Sequence, residues 1–578
     1  MTRTGAQLAV YALEQIGVKN TFGIPGVHNT ELYDELNKSE QIRPVLVTHE
    51  GCGSFMADGI SRTSGSIGTM VIVPAAGTTH AMSGIGEAFL DGIPMLVISG
   101  GTRTDSGRHY QLHQLDQMEL VKPLTKAQFR AEKHEDIIPL IYKAYDIAVG
   151  GEPGPVFVEI PVNLQLFTAD VPDMPAYVAK PRSKDPDPKA IAAAVDRLMK
   201  ADRPVIYVGW GAVDAHDITV ELADLLGAPV STTLQGKSSF PHDHPLHTGV
   251  AFGATGKPAA QNAFKDHDCM LAVGVRFAEL ATGSYGIKDP VGLIHADINP
   301  TVFNKNYRAE LTIEGDAREV MRLILEGLRT KGHTTRTDKV ALAAQIKADH
   351  EKYMAEWMTD PKKDRVSPGL FFRALRKHIE HDAFIVVDDG THTFLTAELM
   401  DVYHPRHFIS PTDYNAMGYC VPAAIGTKLR NPDKQVVGIV GDGAFLMTGM
   451  ELLTASSLDI APMIFIFHDG ELGQIAQLQE IPLNRKTCTV IGDAKFSGMA
   501  TAAGAHYIDL DNDGQIDAAI AEAIRVSNEG TPVLVDVRID YSKKTMLTKG
   551  VVKTNLSRFP LKEKIRFIGR AIKRHVLG

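Results

Sequence analysis

The stretch RPVLVTHEGCGSFMADGISRTSGSIGTMVIVPAAGTTHAMSGIGEAFLDGIPMLVIS, residues 43–99, decides the fold class. It reads as strand RPVLVTH, a helix over about 50–61, strand GTMVIVP, a helix over about 79–90, and strand PMLVIS. The strands are near-continuous apolar runs, each followed by a helix. That pattern belongs to a parallel sheet covered by helices on both faces. Upstream, Thr4 and Gln7 make a capping-box pattern ahead of a helical run at 8–16 that stops at Gly17, and a strand-like NTFGIP follows. Downstream, strand PVFVEIP at 155–161 closes a doubly wound first unit.

Two further units are expected. The stretch AYVAKPRSKDPDPKA, 176–190, is rich in Pro and charge without apolar periodicity, and reads as a linker. Beyond it, PVIYVGWG (204–211), APVSTT (228–233), CMLAVGV (269–275) and GLIHADI (292–298) alternate with helical spans. A charged region at about 329–365 leads to FIVVDDG (384–390), HFISP, a helix through MGYCVPAAIGTKL, QVVGIVGDG (435–443) and PMIFIFHDG (462–470). The first and third units share an order of elements, so the expected class is α/β with three doubly wound domains and parallel sheets, the middle one different from its flanks. The expected domains are 1–180, 186–340 and 365–545, with a tail at 546–578.

Composition narrows the function. Of 578 residues, 44% are hydrophobic and 22% charged, which suits several globular cores; 60 Lys plus Arg against 69 Asp plus Glu leave a net charge of −9, which excludes a general appetite for nucleic acid. No apolar run approaches the ~18 residues of a membrane span. The N-terminus lacks the apolar core and cleavage site of a signal peptide, and Cys52, Cys269, Cys420 and Cys488 contain no CxxC pair. Reduced thiols in a cytoplasmic compartment are expected.

The strongest chemical signal is Gly441, Asp442, Gly443 and Ala444 after strand QVVGIV, with Asp469 at the end of PMIFIF. Glycines let a backbone approach a phosphate, and two Asp at strand ends supply hard oxygen ligands for Mg²⁺. The tripeptide GDG alone would also serve as a plain turn.

These residues resemble the motif of the thiamine diphosphate (ThDP) enzymes, the family of acetolactate synthase, pyruvate oxidase, benzaldehyde lyase and the 2-oxo acid decarboxylases, which begins GDG and ends in Asn-Asn. The resemblance implies that Asp442 and Asp469 bind Mg²⁺ with the main-chain carbonyl of Glu471, and that Leu472 and Gly473 lie against the cofactor. Here the ending is His468-Asp469-Gly470, which keeps an oxygen ligand and adds a negative charge. THEGCGSFMADGISRTSG (48–65) looks like the family segment of the catalytic glutamate, so Glu50 is the candidate that hydrogen-bonds the aminopyrimidine and promotes loss of the thiazolium C2 proton. Gly390, Thr391 and His392 resemble the diphosphate-contacting strand end, and Met417 falls where the family wedges the bent cofactor. His28, His80 and His113, with Gln114 beside the last, lie near strand ends of the first unit and are the candidate proton carriers; a satisfied loop histidine is the plain alternative for each. Arg485 and Lys486 could receive a substrate carboxylate, with a solvated loop the plainer reading.

The middle unit, with LQGKSSFPHDHPLHTG and LAVGVRFAELATG, resembles the acetolactate synthase middle domain, which in some relatives holds FAD; GWG at 209–211 lacks the third glycine of GxGxxG, which weighs against a flavin. The resemblance implies decarboxylation of a 2-oxo acid, acyloin-type carboligation, or both, by a homodimer or homotetramer in which Glu50 of one subunit faces Asp442 of another. A flavin-bearing oxidase and a non-catalytic scaffold are the alternatives. In the tail, Leu561, Ile565, Ile568, Ile572 and Val576 recur at helical spacing among Lys562, Lys564, Arg566, Arg570, Lys573 and Arg574. This basic amphipathic helix either docks on its own enzyme or makes peripheral contact with an anionic membrane surface.

Overall fold

Each apolar run becomes a buried strand, and the computed structural model, which describes residues 2–171, 173–359 and 361–577, gathers them into three six-stranded sheets. Across the first sheet the strands are Arg43–Leu46, Asn20–Gly23, Gly68–Ile72, Met95–Gly101, Pro155–Pro161 and Ala127–Arg130. Across the third they are Phe408–Ile409, Phe384–Val387, Val436–Gly441, Met463–Phe467, Val533–Val537 and His506–Leu510. All neighbours in both sheets are parallel. Numbered by chain order within each unit, both sheets run 2-1-3-4-6-5. The middle sheet runs 3-2-1-4-5-6, the Rossmann order, through His247–Val250, Val230–Thr232, Pro204–Val208, Cys269–Val273, Leu293–Asp297 and Leu311–Glu314. The flanking units are thus two copies of one topology around a different one.

Thr4 caps the first helix as its sequence predicts: its Oγ1 accepts from Gln7 N at 3.2 Å while Gln7 Oε1 accepts from Thr4 N at 3.2 Å. The two helices of the opening stretch are somewhat longer than expected, Glu50–Thr63 and Ala76–Asp91. Strands Ala127–Arg130, His247–Val250, Leu311–Glu314 and His506–Leu510 escape a search for apolar runs because they are short and polar and border or lie near sheet edges. Val533–Val537 is interior and was equally passed over; Asp536 interrupts its apolar run.

The first and third units are joined through a charge cluster with no access to water. Arg62, fully buried, donates from Nε to Asp58 Oδ1 (2.6 Å), from Nη2 to Asp91 Oδ2 (2.9 Å) and from Nη1 to the Ser410 carbonyl (3.2 Å). Asp58 also accepts from the Tyr419 hydroxyl at 2.6 Å. Asp91 and Glu87 accept the backbone N–H groups of Asp413, Thr412 and Ala416 at 2.9–3.2 Å, so carboxylates of the first unit fix the loop of the third that leads to Met417. Burial, then the Asp91 charge, push the Glu87 pKa well up.

Two helices follow the third sheet. Met546–Arg558 lies against the middle unit, and Leu561–Leu577 lies beside helix Gly473–Leu483, where Asn484 Nδ2 donates to the Arg574 carbonyl at 2.7 Å. That contact leaves the apolar stripe open: Leu561, Ile565, Ile568, Ile572 and Val576 are 53–73% exposed. The chain does not itself bury the stripe, so docking of that face on its own subunit is not what the structure shows.

Replacing Arg62 by Met should lower stability by about 3–5 kcal/mol, because it strands buried carboxylates without their cation. A urea midpoint unchanged from the parent would show that the cluster does not hold the two units together.

Candidate functional site

Strand ends, glycines and two helix N-termini build a cavity of about 210 Å³ in the third unit. The third-unit residues read as cofactor or metal contacts all line it, Gly390, Thr391, His392, Met417, Gly441, Asp442, Gly443, Ala444, Asp469, Glu471, Leu472 and Gly473, whereas Arg485 and Lys486 do not. GDG is not a turn: Asp442 begins a helix directly after strand Val436–Gly441. Asp442 Oδ1 accepts from Gly443 N and Oδ2 from Gly470 N, both at 2.7 Å, which ties the two halves of the motif together. The helices Thr391–Leu399 and Gly473–Leu483 open on the cavity with no side chain capping either, so their first N–H groups are available to an anion.

Gly390 has φ 149° and ψ −169°, a conformation open essentially to glycine alone, and a Cβ there would lie 2.6 Å from His392 Cε1. His392 is buried with Nε2 unpartnered, and burial pushes its pKa down to about 3, so it stands at the wall as a neutral imidazole. The acidic residues Asp389, Asp442, Asp469 and Glu471 line the cavity with no Lys or Arg. Burial, then the Asp442 charge, push Asp469 up to about 7; burial pushes Asp389 up to about 6. The Glu471 carboxylate is held by Lys486 at 2.6 Å, which leaves its main-chain carbonyl as the oxygen it can offer and assigns Lys486 a partner within the chain. Among the described residues no group of three His, Cys, Asp or Glu forms a ready metal cage. The oxygens present are a partial set, one that a polyanion could complete.

The first-unit candidates form two pairs outside this cavity. Glu50 is buried, and its Oε2 lies 2.9 Å from His80 Nδ1; the His80 ring stacks on His49 at 4.6 Å. His28 Nδ1 lies 3.2 Å from His113 Nδ1. Burial, then the His113 charge, hold the His28 pKa below its ordinary value. Gln114 is exposed and accepts from Gln111 N at 2.9 Å. Gln117, which the sequence reading passed over, organises this end of the sheet: buried, it accepts from Thr78 and Ser99 hydroxyls and donates to Gly100 O and Glu159 Oε2.

Comparison with known proteins now bears on this geometry. The N-terminal TPP binding domain of thiamine pyrophosphate enzymes matches residues 3–120, the central domain 191–324 and the C-terminal TPP binding domain 388–537. The chain belongs to the thiamine pyrophosphate enzyme family. It is 32% identical over 558 residues to the probable acetolactate synthase large subunit of Methanocaldococcus jannaschii, covering 93% of this chain and 92% of that protein. It is 33% identical to the acetolactate synthase large subunit of Corynebacterium glutamicum (83% and 77% covered) and 29% identical to acetolactate synthase isozyme 3 large subunit of Escherichia coli (93% and 95%).

The residues fit thiamine diphosphate (thiamine pyrophosphate). An orphaned imidazole nitrogen, uncapped helix ends and a glycine cradle suit a diphosphate, and the carboxylates suit a cation that reconciles it with an acidic wall. In the middle unit Trp210 and Gly274, at the Rossmann switch point, line two small cavities of about 200 and 40 Å³, with the Arg62 and Arg406 guanidinium carbons 5.8 and 5.6 Å from the indole ring.

Also missed were Asp389, Asn415, Phe467, Gln474, Ile475 and Tyr541, all lining the cavity. The doubled Asp of FIVVDDG was a usable signal. Tyr541 gave none, because it follows the unread strand Val533–Val537.

Changing His113 to Ala should raise the His28 pKa, since a neighbouring imidazole charge is removed, yet leave it below 6.5 because burial remains. Titration of the ¹³Cε1-labelled ring by NMR reads this directly; an unmoved pKa would separate the two histidines electrostatically.

Proposed function

We propose that this enzyme uses ThDP and Mg²⁺ to decarboxylate a 2-oxo acid, to join the fragment left after CO₂ is lost to a second carbonyl in an acyloin-type carboligation, or both. The observation that carries the reading is the acidic, glycine-cradled cavity at the GDG helix, together with the acetolactate synthase relatives. In this reading Asp442, Asp469 and the Glu471 carbonyl hold Mg²⁺; Gly390, Thr391, His392, Gly473 and the free helix N–H groups hold the diphosphate; and Met417 supports the rings. Bound ThDP supplies a nucleophilic carbon that adds to the substrate carbonyl. Glu50, oriented by His80, hydrogen-bonds the aminopyrimidine, while His28 and His113 hold and deliver protons. Division of labour follows the expected units: 1–180 for the pyrimidine, 365–545 for the diphosphate, 186–340 between them.

One chain does not complete this site, because Glu50 is not among the residues that line the cavity. Apolar side chains stand exposed around both halves: Val27 and Leu112 in the first unit, and Leu446, Met447, Met450 and Ile475 in the third. A homodimer or a dimer of dimers that covers them joins Glu50 of one protomer to Asp442 of the other.

Mixing tests the reading. Glu50→Gln and Asp442→Ala should each abolish turnover of 2-oxo acids, measured as CO₂ release with and without an aldehyde acceptor. Unfolded together and refolded, the two dead variants should recover about a quarter of parental turnover, as half the dimers regain one intact site. No recovery, with dimers present, would place both groups in one chain; full activity of Glu50→Gln would end the assignment.

For the tail we infer peripheral contact with an anionic membrane, on the strength of the open apolar stripe and its flanking cations. Deleting 561–578 should leave turnover and the urea midpoint unchanged and remove salt-sensitive binding to phosphatidylglycerol vesicles. A loss of stability matching several buried aliphatic side chains, ~1.5–3 kcal/mol each, would show the stripe covered by protein instead.

A further inference from the structure

A second cavity, of about 600 Å³, lies between the middle unit and helix Met546–Arg558, away from the residues considered so far. Four segments build it: Phe252, Gly253 and Ala254; Gln261, Phe264, Lys265 and His267 around the end of helix Pro258–Phe264; the loop 286–291; and Met546, Lys549, Gly550 and Lys553 of the C-terminal helix. Its size falls in the ~300–1,000 Å³ range of small-molecule sites.

The C-terminal helix is firmly seated there. Met546 and Leu547 donate their N–H groups to the Glu398 carboxylate at 3.1 and 2.7 Å, and the Arg558 guanidinium donates to the carbonyls of Ser284 and Tyr285. Gly550 lets the helix approach closely, since a Cβ there would meet Thr255 Cγ2 at 2.5 Å and the Ala254 carbonyl at 2.6 Å. This seating presents Lys549 and Lys553, one turn apart, to the cavity opposite Lys265 and Lys288.

None of these four ammonium groups pairs with a carboxylate among the described residues, and Asp289 is the one acid in the lining. Helix Met546–Arg558 contains no acidic residue, although the whole chain carries a net charge of −9. Like charges one turn apart cost stability, and no acid on the same helix offsets them. His267 is committed elsewhere, with Nδ1 on the Phe264 carbonyl at 2.7 Å and Nε2 accepting from Val291 N at 3.2 Å. Gln261 donates to the Gly256 carbonyl at 2.9 Å, and the large side chains that remain in the lining are apolar: Phe252 and Phe264, stacked at 5.2 Å, with Val291 and Met546. Four cations above an apolar floor match a ligand with a flat body and several negative charges.

We propose that this cavity is a binding site for a nucleoside polyphosphate, with phosphates on Lys265, Lys288, Lys549 and Lys553 and the base against the apolar floor. The test uses the full chain saturated with ThDP and Mg²⁺, which occupies the other phosphate-binding cavity, and titrates ADP, coenzyme A and inorganic pyrophosphate by calorimetry. ADP or coenzyme A should bind, more weakly as salt rises, and K549E/K553E should raise Kd at least about tenfold by turning attraction into repulsion. If that variant fails to fold, K265Q/K288Q, on other segments, should weaken binding in the same direction. Absence of binding, or binding unchanged in the lysine variants, overturns the proposal, whichever other cavity then holds the nucleotide. Pyrophosphate binding as tightly as ADP overturns the role of the apolar floor.

Discussion

A guanidinium with no access to water must find its counter-charges inside the protein, and the placement of Arg62 among Asp58, Asp91 and Glu87 sets the terms for everything around it. Those carboxylates come from the two helices that also carry Glu50 and His80 at their other ends, Glu50–Thr63 and Ala76–Asp91. Across the cluster they grip the loop 410–416 of the third unit. One buried network therefore sets the distance between the helix that starts at Glu50 and the loop that leads to Met417. Such a network adds little net stability over an apolar packing of the same volume. What it adds is a single permitted alignment, since any shift leaves a buried charge unpaired.

Alignment of that kind is what a parallel α/β architecture needs at its strand ends. In the third unit Asp388, buried at the end of Phe384–Val387, accepts from Gly418 N at 2.9 Å and Cys420 N at 2.7 Å, which fixes the start of helix Cys420–Arg430 beside Met417. Burial pushes Asp388 up to about 7 despite these bonds, a cost borne by the fold in order to hold a loop. The adjacent Asp389 faces the cavity. Two neighbouring carboxyl groups thus divide two tasks, one turned to backbone and one toward the cavity.

The fold was largely legible in the sequence because interior parallel strands must be apolar throughout, so QVVGIV or PMLVIS admit few other readings. Edge strands such as AQFR and LTIE face solvent on one side and lose that signal. In the cavity the legible residues were those whose type is dictated by backbone or charge: Gly390, Gly441, Asp442 and Asp469. Gln117, Arg62 and Tyr541 were illegible for a different reason. Gln117 depends on Glu159, and Arg62, beside its helix neighbour Asp58, on Asp91 and Ser410, partners distant in the chain that no local pattern announces; Tyr541 follows a strand that the apolar pattern hid. Trp210 was half legible: the missing glycine was visible, while its place in the lining of two cavities at the switch point required the fold.

The middle unit also acts on the cavity wall. Lys237 and Lys257, both buried, donate to the carbonyls of Ala397 and Glu398 at 3.0 and 3.3 Å, at the last turn of helix Thr391–Leu399. His242 orders this contact, with Nδ1 3.2 Å from the Val402 carbonyl and Nε2 2.7 Å from Lys237 Nζ. Burial drives the pKa of each lysine down, so the arrangement costs solvation and must be held by packing. Amines at a helix C-terminus complement its dipole, and the opposite end of this same helix opens on the cavity at Thr391 and His392. The Glu398 side chain, accepting from Met546 and Leu547, extends the connection to the C-terminal helix. The middle unit therefore bears on the site from behind, by fixing the helix whose uncapped N-terminus forms part of its wall.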